Sequence, residues 1–377
     1  MYDFNPEILQ KERPIGVTGL MRVKNEAKFI QLSTESVIDA LDELIIVYQK
    51  SSDNTEEIVN ALAQKYPDKI RSFFYSPEIK SHNLTPEEFD KAKNLPLDSI
   101  HLLSNYYNFT LSKASYRFAL KIDADQVYNT SKLKDICDGY RATKKSKINL
   151  LEYSIALILN FLSYLNIIMV SKTGLKKGLP LPSFLGNKYY NYALKKIQND
   201  KIPSSISGIN ISIENGNCYI PLGSYAQNSY PPFNGINDHL IFKINSDTYY
   251  LPKYNFTPDN SKYGINIIEK FNLDNYVFKF HFFKINIVNL GFLWYHLDPI
   301  KSVTRHVKEK INFYPDNAYK REEKKFFLEA LSSPLFNSTR SWMIFWWKNW
   351  THQPKRYLIC WNEMLKNLLL KVNEKNT

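Results

Sequence analysis

Residues 121–127, KIDADQV, are the stretch on which the reading of this chain turns. The run before it, SYRFALKI, is apolar and β-prone, and it predicts a strand entering the core with Asp123 and Asp125 at its carboxyl end. Alternate side chains of a strand share a face, so a strand continued through 125 sets both carboxylates on one side. Like charges that close repel, and burying them is costly unless a cation is shared between them. Two readings stand here. One is a turn at a strand end, where Asp is common. The other is a divalent-cation site for a phosphorylated ligand, built from hard carboxylate oxygens.

Working upstream, GVTGLMRV (16–23), ELIIVY (43–48) and KIRSFFY (69–75) are three further β-rich runs. The four consecutive apolar residues of ELIIVY suit a parallel strand covered on both faces. Between these runs, NEAKFIQLSTESVIDAL carries Ala27, Ile30, Leu32, Val37, Ile38 and Leu41 at helical spacing, with Asn25 and Glu26 at the start of the helix. SSDNTEEIVNALAQKYP reads as a capped helix that closes at Pro67. A long loop from Ser76 then leads to a helix in LSNYYNFTLSKA, which feeds the KIDADQV strand. Strands alternating with helices predict an α/β fold with a parallel sheet. Such sheets bind ligands beyond the carboxyl ends of their strands, which strengthens the ligand reading of Asp123 and Asp125.

Downstream, residues 150–170, LLEYSIALILNFLSYLNIIMV, reach the ~20 residues that a spanning helix needs. Glu152, Asn160 and Asn166 interrupt them, and polar groups in hydrocarbon are expensive. The stretch is expected to form a core strand and a buried helix, with a membrane-dipping element as the alternative. From about 180 to 300 the chain is rich in Gly, Pro, Asn, Ser and Tyr, and is expected to be an irregular, substrate-facing region with short strands. The expected organisation is one domain over 1–300, divided at about residue 130, followed by a basic helical region over 301–377.

The chain has 377 residues, 44% hydrophobic and 23% charged, as an ordinary globular protein has. Its net charge is +12, and the last 77 residues hold 15 Lys/Arg against 7 Asp/Glu, so +8 of that charge lies there. Five of the six tryptophans, Trp342, Trp346, Trp347, Trp350 and Trp361, also lie there, interleaved with Lys348, Lys355 and Arg356. Trp among Lys and Arg is the composition of a segment resting on anionic lipid; the plainer reading is that these rings pack the tail onto the rest of the chain. Nucleic acid is not expected as a partner, because no RNA- or DNA-binding motif accompanies the basic segment. Three distant cysteines form neither a zinc pattern nor a disulfide framework and fit a reducing cytoplasm. MYDFNPEILQKERP has no apolar run and is not expected to be a signal peptide.

RVKNEA (22–27), QKSSDNTEEI (49–58), SNYYN (104–108) and KIDADQVY (121–128), in this order and spacing, resemble the GT-A-fold glycosyltransferases of the family 2 type. Within that group the chain is similar to bacterial lipooligosaccharide β-1,4-N-acetylgalactosaminyltransferases, and NDHLIF (237–242) adds to the likeness. The resemblance implies a Rossmann-like, nucleotide-sugar-binding mixed sheet flanked by helices. It implies an inverting, metal-dependent transfer of a sugar from a UDP-sugar, with GalNAc, Gal or Glc as the sugar, onto a bacterial surface glycan such as lipooligosaccharide or capsule. The cysteine usage and the basic, Trp-rich segment point to a place in the cytoplasm, peripheral on the inner face of the cytoplasmic membrane, where a lipid-linked acceptor would be found. A nucleotidyltransferase is disfavoured, since GLMRVKNEA has one glycine where a phosphate loop needs several. A membrane-surface sugar-nucleotide-binding protein without catalysis is the non-enzyme alternative.

By the same resemblance, Arg22, Glu26, Gln49, Asp53 and Asp123 face the nucleotide, and Asp123 and Asp125 hold Mn2+ or Mg2+, with Asp125 as the direct ligand. Gln49 stands where the family often has an acid that accepts from uracil N3–H; its amide oxygen can still accept. Asp53 is as well suited to anchoring the turn before the helix, and Glu26 to complementing a helix dipole. The expected third metal ligand is His281, in VFKFHFFK, with His239 and His296 as competitors. The expected base for the acceptor hydroxyl is Asp238, 113 residues after Asp125, with Asp259 and Asp274 behind it. Asp238 is equally suited to capping an apolar helix beginning at NDHLIF.

Overall fold

The structure is a computed structural model. It describes residues 4–82, 84–173, 177–178, 183–210, 212–214, 217–221, 239–256, 265–272, 285–296, 313–314 and 337–338. Two compact units divide the chain: Met1–Ala124 with Lys201–Pro203 and Leu240–Lys279, and Asp125–Asp200 with Ser204–His239 and Phe280–Thr377.

The first unit begins with β1 (Val17–Val23), α1 (Ile30–Val37), β2 (Glu43–Tyr48), α2 (Thr55–Lys65) and β3 (Ile70–Phe74). After α3 (Pro86–Lys93) and α4 (Leu103–Ser112), the chain returns to the sheet as β4 (Phe118–Asp123). The strands lie in the order β3-β2-β1-β4, all parallel, which is the α/β alternation read from the sequence. Leu44, Ile45, Ile46 and Val47 of β2 are fully buried, as a strand covered on both faces requires. Each such side chain contributes roughly 1.5–3 kcal/mol relative to exposure. Gly19 on β1 lies so close to its neighbours that a Cβ there would meet Leu41, Ile122 and Leu44 at 2.6–2.9 Å.

Two details differ from the sequence reading in this unit. The first helix starts at Ile30, not at Asn25 and Glu26, because Asn25 adopts a left-handed φ of 57° that no helix continues. The long loop after β3 contains α3, whose start Thr85 and Glu88 fix with a reciprocal capping box and Pro86 at the first turn. Phe89 and Ala92 of α3 pack with Leu102 and Ile267.

In the second unit β5 (Gln126–Tyr128) is followed by α5 (Thr130–Arg141) and α6 (Leu150–Thr173). Residues 150–170 thus form one continuous helix, not a core strand and a buried helix; Leu150, Leu151 and Ile158 on it are exposed. Glu152 is buried and ion-pairs with Lys195 at 2.9 Å, so a polar residue that breaks the apolar run tethers α6 to the next helix. No helix among the described residues is long and apolar enough to cross a membrane. After β6 (Lys177–Gly178), an 18-residue helix, α7 (Ser183–Asp200), occupies the start of the region expected to be irregular. Strands β7 (Ser204–Asn210), β8 (Ser212–Glu214) and β9 (Asn217–Pro221) follow.

The chain then re-enters the first unit. Residues after Asp238 form a strand, β10 (His239–Lys243), antiparallel to β4, where the sequence suggested an apolar helix. Four buried residues in a row, His239 to Phe242, fit a strand enclosed on both faces as well as a helix, and the run alone is too short to tell the two apart. β11 (Tyr250–Asn255) and β12 (Asn266–Phe271) form an antiparallel pair. β13 (Val288–His296) belongs to the second unit, parallel to β7 and antiparallel to β5. The short strands β14 (Phe313–Tyr314) and β15 (Asn337–Ser338) pair with β9 and β6. With β10 beside the parallel strands the sheet is mixed and flanked by helices, the arrangement expected of a GT-A fold.

Candidate active site

The carboxyl ends of β1, β2 and β4 carry the candidate residues of the first unit. In the sheet register Arg22 of β1 stands opposite Asp123 of β4 on one side and Val47 of β2 on the other. The Arg22 guanidinium lies 3.6 Å from Asp123 Oδ1 and stacks on the Tyr107 ring of α4, with Cζ 3.6 Å from its centroid. Burial opposes the Arg22 charge, but Tyr107, Asp123, Tyr250 and Glu269 around it outweigh burial and raise its pKa above the ordinary value. Its Nη2 is buried and makes no hydrogen bond. Lys121, two residues before Asp123, also faces Tyr107 and ion-pairs with Glu269 at 3.3 Å. Burial raises the Tyr107 phenol above its ordinary range, so the ring meets the guanidinium as a neutral π-face.

Asp123 ends β4 with its side chain about a third exposed, at 36%. Its backbone carbonyl accepts from Ser33 Oγ at 3.2 Å. The strand does not run on through Asp125. The chain turns at Ala124 and Asp125 before β5, so the two acids are set by a turn and not by the alternation of one strand. Asp125 is 4% exposed. A carboxylate so enclosed demands hydrogen bonds or a cation.

Gln49 follows β2 and is buried. Its backbone N–H donates to Val23 O, and its Nε2 donates to Pro77 O at 2.7 Å. Because a proline carbonyl can only accept, the amide nitrogen must face it, and Oε1 is left as the acceptor.

Asn25, Glu26 and Asp53 join two loops. Asn25 Oδ1 accepts from Ser52 N at 2.7 Å, and Asn25 N donates to Ser51 Oγ at 3.0 Å. Glu26 N donates to Thr55 Oγ1 at 2.8 Å. Asp53 accepts from Ala27 N at 3.1 Å through one oxygen, and from Thr55 N and Oγ1 through the other. The turn after β1 is thereby sewn to the turn after β2, which holds the open ends of two parallel strands at a fixed spacing. The anchoring role of Asp53 is the one the structure shows.

In the second unit Gln126, next after Asp125, has its Nε2 2.5 Å from His239 Nε2, and its Oε1 accepts from Tyr128. His239 is fully buried and stands edge-on to Trp294 at 5.0 Å. It is therefore a hydrogen-bonded core histidine, among neighbours that hold it in place. His296 pairs with Gln126 across β13 and β5, so its backbone position is one register step from Asp125. Spacing in the sequence could not reveal that proximity, because it depends on which strand β5 pairs with. Tyr107, Lys121 and Glu269 also escaped notice; SNYYN marked the first, and nothing local marks Glu269. Asp238, His281, Asp259 and Asp274 lie outside the described residues. Among the described residues no group of three or more His, Cys, Asp or Glu side chains is arranged to hold a metal ion.

Among solved structures the chain is similar to glucosyl-3-phosphoglycerate synthase from Mycobacterium tuberculosis, solved with Mn2+, UDP and phosphoglyceric acid. The two share 20% identity and a TM-score of 0.20, over 33% of this chain and 37% of that one. It is also similar to residues 1–349 of S. aureus TarS in complex with UDP, at 20% identity and a TM-score of 0.22, over 33% of this chain and 31% of that one. The chain thus spans about a third of the length of these proteins. No curated protein matches it. Residues 2–205, more than half the chain, match the profile of the β-1,4-N-acetylgalactosaminyltransferases (CgtA), and the chain belongs to that glycosyltransferase family.

Proposed function

We propose that this chain transfers a sugar from a UDP-sugar, with inversion, onto a glycan or glycolipid acceptor at the inner membrane surface. UDP-GalNAc is the first donor to try, followed by UDP-galactose and UDP-glucose. Lipooligosaccharide or a capsule-like chain is the acceptor class. Family membership supports the transferase reading. The observation that carries the rest is the convergence of Arg22, Gln49 and Asp123 at the carboxyl ends of adjacent parallel strands, where such sheets bind nucleotides. The two solved structures above hold UDP, and one of them also Mn2+.

Asp123 and Asp125 would hold Mn2+ or Mg2+, and their all-oxygen donor set suits either ion. A third ligand from His281 or His296 would complete the site. Bound there, the ion supplies charge neutralisation for the diphosphate leaving group. The chain's own groups do the rest. Gln49 Oε1 accepts from uracil N3–H. Arg22, placed over the Tyr107 ring, sets the Asp123 carboxylate and adds positive charge beside it. Asp238 takes the proton from the acceptor hydroxyl as that oxygen attacks the anomeric carbon from the face opposite UDP. The basic, Trp-rich segment after residue 300 supports a place at a lipid surface.

Purified protein incubated with Mn2+ and a panel of UDP-sugars should release UDP slowly, and UDP should raise the melting temperature only when Mn2+ is present. Stabilisation by GDP in preference to UDP, or no response to any nucleotide, would sink this reading.

A further inference from the structure

On α6 the buried and exposed residues divide cleanly. Glu152, Ile155, Ala156 and Leu159 are buried. At 100° per residue they occupy one side of the helix, tied to α7 by the ion pair of Glu152 with Lys195. Leu150 stands opposite that side, Leu151 and Ile158 stand about 90–110° round from its centre, and the three are exposed by 80%, 60% and 58%. Leu151 and Ile158 are two turns apart and stand one above the other. Large aliphatic side chains exposed together on one helix face mark an interaction surface. The segment leading into α6 carries Lys144, Lys145 and Lys147, all exposed. The acid of the first turn, Glu152, is turned to the buried side, so it does not offset that positive charge at the exposed face.

We infer that the exposed face of α6 docks on an anionic lipid bilayer, with Leu150, Leu151 and Ile158 entering the headgroup–acyl boundary and Lys144, Lys145 and Lys147 meeting the lipid phosphates. An apolar stripe with lysines at its end fits a surface that is anionic outside and apolar just beneath. A protein groove would have to supply both an acidic rim and an apolar floor. The inference deepens the membrane-surface reading given above, yet it stands on α6 and not on the tryptophans of the last segment.

Co-sedimentation of the full chain with vesicles of phosphatidylglycerol and phosphatidylcholine tests it. Circular dichroism and UDP-sugar hydrolysis without vesicles should be unchanged in every variant used. Binding should fall at least tenfold in Leu151→Glu/Ile158→Glu. It should fall roughly a hundredfold in Lys144→Gln/Lys145→Gln/Lys147→Gln, from about 1 kcal/mol per lysine at an anionic surface. Full binding by Leu151→Glu/Ile158→Glu, with loss in Trp346→Ser/Trp347→Ser, would overturn the role of α6 and leave the membrane reading intact. Failure of the wild-type chain to bind these vesicles would overturn both. Unaltered vesicle binding, with a dimer turning monomeric in Leu151→Glu/Ile158→Glu, would reassign the face to self-association.

Discussion

Arg22 and Asp123 face each other across β1 and β4 at 3.6 Å, and the guanidinium is pinned against the Tyr107 ring at the same distance. A planar cation between a carboxylate and an aromatic face is a task for arginine; lysine's compact ammonium cannot stack in this way. Arg22→Met should lower kcat/KM for UDP-sugar hydrolysis about 10- to 100-fold, an effect of ~1.4–2.8 kcal/mol on the transition state. Arg22→Lys should not rescue it, whereas Tyr107→Phe, which keeps the ring face, should stay within about threefold of wild type. Full rescue by lysine would mean that Arg22 supplies charge alone and positions nothing.

Asp125 is enclosed where the chain leaves β4, and the register sets His296 of β13 opposite the residue that follows it. Asp125→Asn should abolish Mn2+-dependent UDP release by at least about a hundredfold, because a neutral amide is a poorer ligand for a hard cation. The change should also remove the Mn2+-dependent part of the UDP-induced thermal shift. His296→Ala and His281→Ala, assayed side by side for the Mn2+ concentration at half-maximal rate, separate the two histidines. The ligand should raise that concentration at least tenfold, and the other should leave it within about twofold.

Local pattern revealed the parallel half of the fold well, because β1 to β4 are short apolar runs, each separated by turn residues and helical periodicity. ELIIVY is β2 residue for residue, since a doubly covered strand has to be continuously apolar. The rest was less legible for physical reasons. In the second unit the apolar run of α6 lacks strong periodicity, and in the first β10 is a strand beside the edge that β4 offers it. The acids of KIDADQV were visible as a pair, but the turn between them was not, since an alanine gives no turn signal. The partner of Lys121, Glu269, comes from a strand of another sheet, and that of Gln126, His296, from strand pairing; neither leaves a trace in spacing.

Gln49 is held by its Nε2 on the Pro77 carbonyl, and this sets its oxygen as an acceptor. Uracil N3–H can donate to that oxygen, whereas cytosine N3, itself an acceptor, would repel it. The wild-type chain should therefore bind UDP at least tenfold more tightly than CDP in isothermal titration with Mn2+. Gln49→Leu should weaken UDP binding by about 1–3 kcal/mol and shrink the preference toward unity. Gln49→Glu should lower the melting temperature as well, because a carboxylate oxygen would then press against the Pro77 carbonyl. An undiminished preference in Gln49→Leu would place the uracil reader elsewhere.

Lys132 on α5 lies with its ammonium 5.9 Å from the centre of the Tyr190 ring, and burial, only partly offset by Asp135, lowers its pKa to about 8. A lysine depressed in the folded state binds fewer protons there than in the unfolded chain between pH 8 and its ordinary value near 10.5. Stability must therefore rise with pH across that window, and the full cost of burying the charge is borne below pH 8. Lys132→Met keeps the apolar stem and removes the charge. It should stabilise the protein at pH 7 by up to about 3 kcal/mol, from roughly 1.4 kcal/mol per unit of displacement, and its advantage should shrink toward zero by pH 10.5. Urea titrations of both proteins at pH 7, 9 and 10.5 measure the difference directly. A Met variant that is less stable at pH 7, or an advantage that does not change with pH, would show that the ammonium is well accommodated beside Tyr190 after all.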